Sequence, residues 1–469
     1  MIAWDRSTDG AARGVARGLR RRGVEVRLGG DGLGALESAG PSATVVKSPG
    51  IPLRTPLFER ARERGLEVFD ELELGWRLAR GPIVGVTGTN GKSTTAKLIA
   101  AVLEAAGEPV QIAGNSEFGP PLSAAEGEGW TVCEVSSFQL EATPSFLPEL
   151  GVFTNLTLEH LARHTDMESY AAIKRAMFIR PGRVVDTAIV NIDDRFGRRL
   201  AAEVVEAGTK VLTYGFDAEA DVRVESARWD MRQARQHLRT PAGAVDSTTR
   251  LPGRHNASNV AAAFAVGHAL GLSPRSTSRA LNGAEGPPGR WEVLSGSEEF
   301  DVVVDFAHNP DGIRRLLETA RAVTNRRGNA GLRVVFGPVG LHEPSKARAI
   351  GRVAGALSDH LILTTGTVNY DGRLVRIGEL REAAKSGGNG SSVEVVLDRR
   401  EAIERAIESA SPGDIVAVLG IGALPRLVID AAGTSFDFDD RRVVREVLGD
   451  QRNRARSASN GAAITPASR

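Results

Sequence analysis

The chain has 469 residues, room for about three domains at the ~150 residues a domain commonly uses, so a single small module is excluded. Lys and Arg number 59 against 58 Asp and Glu; the net charge of +1 supplies no overall pull toward nucleic acid or an anionic membrane, and partners must be read from local sites. One cysteine, Cys133, permits neither an internal disulfide nor a multi-cysteine zinc site, which fits a reducing cytoplasm.

The opening MIAWDRSTDG has no apolar stretch behind a basic start, so a secretory leader is not expected. Strands are predicted near Ile2–Trp4, Val24–Leu28 and Thr44–Lys47, with helices near Ala11–Arg22 and Leu57–Arg64. Together they make a small doubly wound lobe over 1–80, with Arg13, Arg17, Arg20, Arg21 and Arg22 on a solvated helix face. From Pro82, IVGVTG reads as a buried strand, followed by strands at Thr131–Val135, Gly151–Leu156 and Ala188–Ile192. The run Val260–Leu272 lacks charge but is too short to span a membrane, and reads as a buried helix. A central α/β domain over 81–285 follows, closed by the Pro- and Gly-rich hinge Ala284–Arg290. Beyond it DVVVDF, LRVVF, HLILT, VEVVL and DIVAVL alternate with helices, giving a Rossmann-like third domain over 286–450. The segment 451–469, with no acidic residue and almost no bulky apolar one, is expected to be a disordered tail. The fold class is therefore α/β in three domains, and a monomer is expected.

The sharpest chemical signal is GVTGTNGKSTT, Gly85–Thr95, leaving a strand and entering a helix. Glycines at 88 and 91 let backbone N–H groups of Thr89, Asn90 and Thr94 turn toward a phosphate, Lys92 reaches terminal phosphates, and the Ser93 hydroxyl suits Mg²⁺. The spacing departs from the strict P-loop form, since Val86 stands where its first glycine would be. An acid at the end of a neighbouring parallel strand faces the same crevice, and Glu134 in CEVSSFQLE is that acid. His160 and His164 follow the third strand, and Lys174 lies on the next helix.

TGTNGKST, EVSSFQLE, NLTLEHLARH and YAAIKRAMF, in this order, resemble the Mur ligases, the ATP-dependent ligases of the peptidoglycan peptide. LPGRHNASNVAAA, GRWEV and VVVDFAHNPDG extend the resemblance to about residues 20–445. It implies ATP contacts at Asn256, Asn259, Arg290 and Asp305, and a muramoyl contact at Asn115. It also implies two Mg²⁺ sites held by Ser93, Glu134, His160 and a carbamylated Lys174. The implied reaction is attack of a substrate carboxylate on the γ-phosphate of ATP, then of an amino group on the acyl phosphate.

Within the family, SSFQLE and Ser48–Leu78 resemble the members that add D-glutamate to UDP-N-acetylmuramoyl-L-alanine, and that is the expected reaction. NIDDRFGRRL, DFAHNPDG and FDFDDRRVVREVL instead resemble the members that add the third residue, whose Asp-Asn-Pro-Arg motif for diaminopimelate is replaced here by TTGTVNYDG. A ligase with another acceptor, polyglutamylating and cyanophycin-type enzymes included, and a nucleotide-binding regulator without ligase activity stand as alternatives. The lobe over 1–80 looks about one βα unit short of the family pattern, which predicts weak UDP-substrate binding.

Overall fold

The structure is a computed structural model and describes residues 1–116, 118–160, 163–294, 299–340, 344–367, 372–387, 390–430 and 434–462. Its centre is a nine-stranded sheet. From one edge the strands run Val110–Gly114, Trp130–Glu134, Ile83–Thr87, Leu150–Phe153, Thr187–Asn191, Lys210–Gly215 and Val222–Trp229, all parallel, and a meander of Ala234–Thr240 and Gly243–Thr249 completes it antiparallel.

Ile83–Thr87 is buried along its whole length because both sheet faces are covered, as parallel sheets require. One face packs the helices Lys92–Ala105 and Arg254–Ala269, with Leu98, Ile99, Val260 and Phe264 in the core. The other buries Leu72, Phe146, Met177 and Phe178. The run Val260–Leu272, predicted as a buried helix, covers the later part of the helix Arg254–Ala269 and extends past its end; the interior side of that helix is Ala-rich and lies close to the sheet.

The third domain is a six-stranded sheet in the order Glu292–Val293, Asp301–Asp305, Ile415–Leu419, Leu332–Phe336, His360–Leu363 and Ser392–Val395, parallel except for its first short strand. All five strands read from the sequence are present.

The N-terminal lobe departs from expectation. Its strands form two separate two-stranded parallel sheets, Ile2–Asp5 with Glu25–Leu28 and Thr44–Lys47 with Glu67–Asp70, rather than one doubly wound sheet. A cavity lined by Ile2, Trp4, Leu36, Val45 and Leu57 together with Thr44, Lys47 and Ser48 lies beside the first and third of these strands. The lobe is fastened to the central domain by polar contacts. The Arg163 guanidinium donates to the carbonyls of Pro49 and Ile51, Gln139 donates to Glu71 at 2.8 Å, and the buried Glu73 accepts from the backbone of Ser145 and Phe146.

The C-terminal helix runs from Asp440 to Ala462, so the segment expected to be disordered from 451 is helical over its first part; 463–469 lie outside the described residues. At its start Asp440, fully buried, accepts two bonds at 2.7 Å from Arg399, which also donates to the Leu419 and Thr365 carbonyls. Removing one member of such a pair strands an uncompensated buried charge, which costs about 3–5 kcal/mol. Arg399→Ala is expected to lower the unfolding free energy of the third domain, read from a shifted urea midpoint, by that amount, and Arg399→Met with Asp440→Leu to recover most of it. An unchanged midpoint in the single variant would contradict this role.

Candidate active site

The loop Gly88–Gly91 joins the central strand Ile83–Thr87 to the helix Lys92–Ala105, and its glycines are sterically required. Gly88 has φ +146°, and a Cβ there would meet the Thr154 hydroxyl at 1.9 Å; Gly91 has φ +86°, and a Cβ would lie 2.7 Å from the Asn259 amide oxygen. Thr154 and Asn155 satisfy the loop's own peptide groups, so the Thr89 and Asn90 N–H groups, expected to face a phosphate, are instead bonded to Asn155. Thr154 and Asn155 donate to the Asn90 carbonyl at 2.8 and 2.9 Å, the Asn155 carbonyl accepts from Thr89 N–H, and the Asn155 side chain accepts from Asn90 N–H. With Gly91 left-handed as the helix cap and no side chain capping it, the first turn presents N–H groups as an anion seat.

A cavity of about 340 Å³ opens there between the central and third domains. Thirteen of the residues singled out from the sequence line it: Thr89, Asn90, Gly91, Lys92, Ser93, Thr94, Asn115, Glu134, His160, Asn256, Asn259, Arg290 and Asp305. Gly88 and Lys174 sit just behind the wall, where the Lys174 ammonium donates to the Gly88 carbonyl at 2.8 Å. Lys174 is therefore a buried lysine over the Tyr170 ring, not a solvated helix residue.

Burial dominates the electrostatics. It holds the Lys92 ammonium below the ordinary lysine range, against the pull of Glu134, whose carboxylate lies 4.0 Å away. Burial, assisted by the charge of Lys92, pushes Lys174 well down, toward the neutral amine. The walls of the cleft, by desolvation, and then Lys346 lower the His160 imidazole below the ordinary histidine range, although its side chain is still 41% exposed. His160 is also one of two non-glycine residues with positive φ among those described, at +58°. Such backbone strain is held at a site by surrounding structure and commonly serves function. His164 points elsewhere, bonding the Ser137 hydroxyl at 2.9 Å and stacking on Tyr170.

The Ser93 hydroxyl donates to Glu134 at 2.6 Å, so a hydroxyl and a carboxylate oxygen face one spot. Among the described residues no group of three or more His, Cys, Asp and Glu could hold a metal ion alone. The pair nevertheless suits Mg²⁺, which keeps several waters and takes its other oxygens from phosphates. Across the cleft Arg290 stacks on Phe306 at 4.2 Å, and Asp305 accepts from the backbone N–H of Trp291 and Ala307, both at 2.7 Å.

Several residues of the site were not singled out from the sequence. Asn155, two positions past its strand, was detectable because ligands bind at the C-terminal ends of parallel strands. Glu159 adjoins His160 and was legible in the same way. Asn309 and Asp311 bond Asn90 across the cleft, at 2.8 and 3.0 Å, and Lys346 bonds Glu159 at 2.6 Å. These pairings join residues far apart in sequence and leave no local signal.

Residues 86–267 match the Mur ligase middle domain and residues 289–422 the glutamate ligase domain of the Mur ligases. A UDP-N-acetylmuramoyl-L-alanyl-D-glutamate–2,6-diaminopimelate ligase of Geobacter metallireducens is 33% identical over 404 residues, 77% of each chain. Its counterpart in Gloeobacter violaceus is 35% identical over 399 residues, 79% of this chain and 78% of that one. The crystal structure of a UDP-N-acetylmuramate–alanine ligase from Thermotoga maritima shares the fold with a TM-score of 0.62 at 19% identity, covering 96% of this chain and 93% of that one. The chain belongs to the Mur ligase family, ATP- and Mg²⁺-dependent amide ligases of peptidoglycan synthesis. These relatives are named for diaminopimelate addition, so they do not support the D-glutamate assignment drawn from SSFQLE.

Lys92 contributes charge rather than packing, since among the described residues its ammonium bonds the Thr89 carbonyl, at 2.9 Å, beside Glu134. Lys92→Ala is expected to cut ATP-dependent phosphate release by at least about 100-fold, the scale of losing a preorganised charge at a reacting group, with the melting temperature preserved. Wild-type turnover in that variant would remove the loop from the reaction.

Proposed function

We propose that this protein joins an amino acid to the terminal carboxylate of a UDP-N-acetylmuramoyl peptide through an acyl phosphate, as a cytoplasmic enzyme. The dipeptide UDP-N-acetylmuramoyl-L-alanyl-D-glutamate is the carboxylate substrate and a diamino acid the acceptor. The observation that carries the ligase reading is the single cavity in which Lys92, the Ser93–Glu134 pair and Arg290 of the third domain converge. The acceptor rests on the names of the relatives. When bound, Mg²⁺ supplies positive charge against the phosphates, with Ser93 and Glu134 as its protein ligands. Lys92 and the first helical turn hold the terminal phosphates, while Asn256, Asn259, Arg290 and Asp305 hold the rest of the nucleotide. Asn115, whose N–H donates to the Glu134 carbonyl at 2.8 Å, is placed to meet the muramoyl substrate. Closure of the third domain over the loop excludes water, which would otherwise hydrolyse the acyl phosphate.

A second reading, addition of D-glutamate to UDP-N-acetylmuramoyl-L-alanine, is favoured by SSFQLE at Ser136–Glu141 and by TTGTVNYDG in place of Asp-Asn-Pro-Arg; 368–371 of that segment lie outside the described residues. Phosphate release measured with each UDP substrate against diaminopimelate, lysine, D-glutamate and L-glutamate separates them. Turnover with the dipeptide substrate and a diamino acid is expected. Turnover confined to the L-alanyl substrate with D-glutamate would replace the first reading by the second.

We further propose that Lys174 acts as a carbamate and, with His160, as ligand of a second Mg²⁺. A buried amine whose proton is loosened by burial can lose it and add CO₂, and the remaining N–H can keep the bond to the Gly88 carbonyl. Lys174→Ala is expected to be nearly inactive and partly rescued by short-chain carboxylates, which replace the lost oxygens. Full activity without additive would rule the carbamate out.

A further inference from the structure

The cleft is rich in cations and poor in unengaged anions. Among the described residues three carboxylates line it, Glu134, Asp305 and Glu159. Glu134 accepts from Ser93 with one oxygen and has the other 4.0 Å from the Lys92 ammonium, and Asp305 uses both oxygens on backbone N–H groups. Glu159 differs. It is 6% exposed, its Oε1 accepts from the Lys346 ammonium at 2.6 Å, and its Oε2 is buried with no partner. A carboxylate oxygen left bare in such a place is costly unless something arrives to meet it. The left-handed backbone at His160 lets two consecutive side chains, Glu159 and His160, line the same cavity.

Resting on the ligase reading above, we propose that Glu159 seats the α-ammonium of the incoming amino acid. The acceptor reaches the cleft as a cation and must be held about 3–3.5 Å from the acyl carbon, among lysines and arginines that repel it. Among the described residues Glu159 is the cavity-lining carboxylate with a fully buried, unpartnered oxygen, and Lys346 shows that its other oxygen takes a primary ammonium. A second Mg²⁺ ligand is the rival role, and the dependence of activity on Mg²⁺ separates the two. In the step that follows, the C–N bond forms and the C–O bond to the phosphoryl group breaks. Phosphate leaves with the electron pair; one of the two protons lost from the ammonium goes to it and the other to solvent.

Glu159→Gln keeps shape and removes the charge. It is expected to raise KM for the amino acid about tenfold or more, the scale of losing a hydrogen bond between charged groups. KM for ATP and the Mg²⁺ activation curve should stay within about twofold of wild type, since neither depends on the seat. Neutral hydroxylamine needs no anionic seat, so hydroxamate formed from ATP and the UDP substrate without amino acid is expected to persist in the variant. An unchanged amino-acid KM, a displaced Mg²⁺ curve, or hydroxamate lost together with the amide would overturn the proposal. Absence of hydroxamate in the wild type would instead sink the ligase reading. Should Glu159→Gln fail to fold, the wild-type protein still decides: methylammonium is expected to compete with the amino acid and not with ATP, and failure to do so overturns the seat.

Discussion

Everything at this site depends on how the four-residue loop Gly88–Gly91 is held open. A bare loop of this composition would collapse on its own peptide groups or sample many shapes. Here Thr154 and Asn155, at the exit of the adjacent strand, take up the Asn90 and Thr89 peptide groups, and Lys174 takes the Gly88 carbonyl from behind. The first turn of the helix that follows is then left free to face an anion. Because Ile83–Thr87 and Leu150–Phe153 are hydrogen-bonded neighbours in a sheet buried on both faces, the loop and its clamp cannot drift apart.

The same clamp organises the third domain. Asn90, fixed by its backbone, offers its side chain to Asn309 and Asp311, while Glu159 reaches Lys346. Two sets of polar contacts thus cross the cleft on either side of the cavity. They are the kind of contact that a substrate can replace, since each is individually modest and made between groups that also suit phosphate or ammonium. A closed cleft between separately folded domains matches chemistry in which an acyl phosphate must meet an amine before it meets water.

Local features of the site were legible in the sequence, and long-range ones were not. Gly88, Gly91, Lys92 and Ser93 announce themselves because a phosphate loop needs glycines and a lysine at fixed short offsets, and Glu134 follows from its place at a strand end. The burial of Lys174 was not readable from a helix sequence alone; it comes from packing behind Gly88. Glu159 was overshadowed by its histidine neighbour, and nothing near Lys346 marks it as a partner for a residue in another domain. In the third domain the β-branched runs identified all five strands read, whereas the lobe over 1–80 misled. Its short alternating runs predicted three strands and missed the fourth, Glu67–Asp70; strand pairing is set by which edges meet, and there two small sheets stand in place of one. The acceptor was read from SSFQLE in the central domain, while the relatives by name point to a diamino acid; a short motif in one domain is a weak guide to what another domain holds.

The central claim is that the substrate carboxylate is activated by phosphorylation in this cleft, and oxygen transfer tests it directly. With the carboxylate of the UDP-muramoyl peptide labelled with ¹⁸O, turnover with ATP and amino acid is expected to place one labelled oxygen in the released phosphate, because the acyl C–O bond breaks. Phosphate released without label during amide formation would contradict activation through an acyl phosphate.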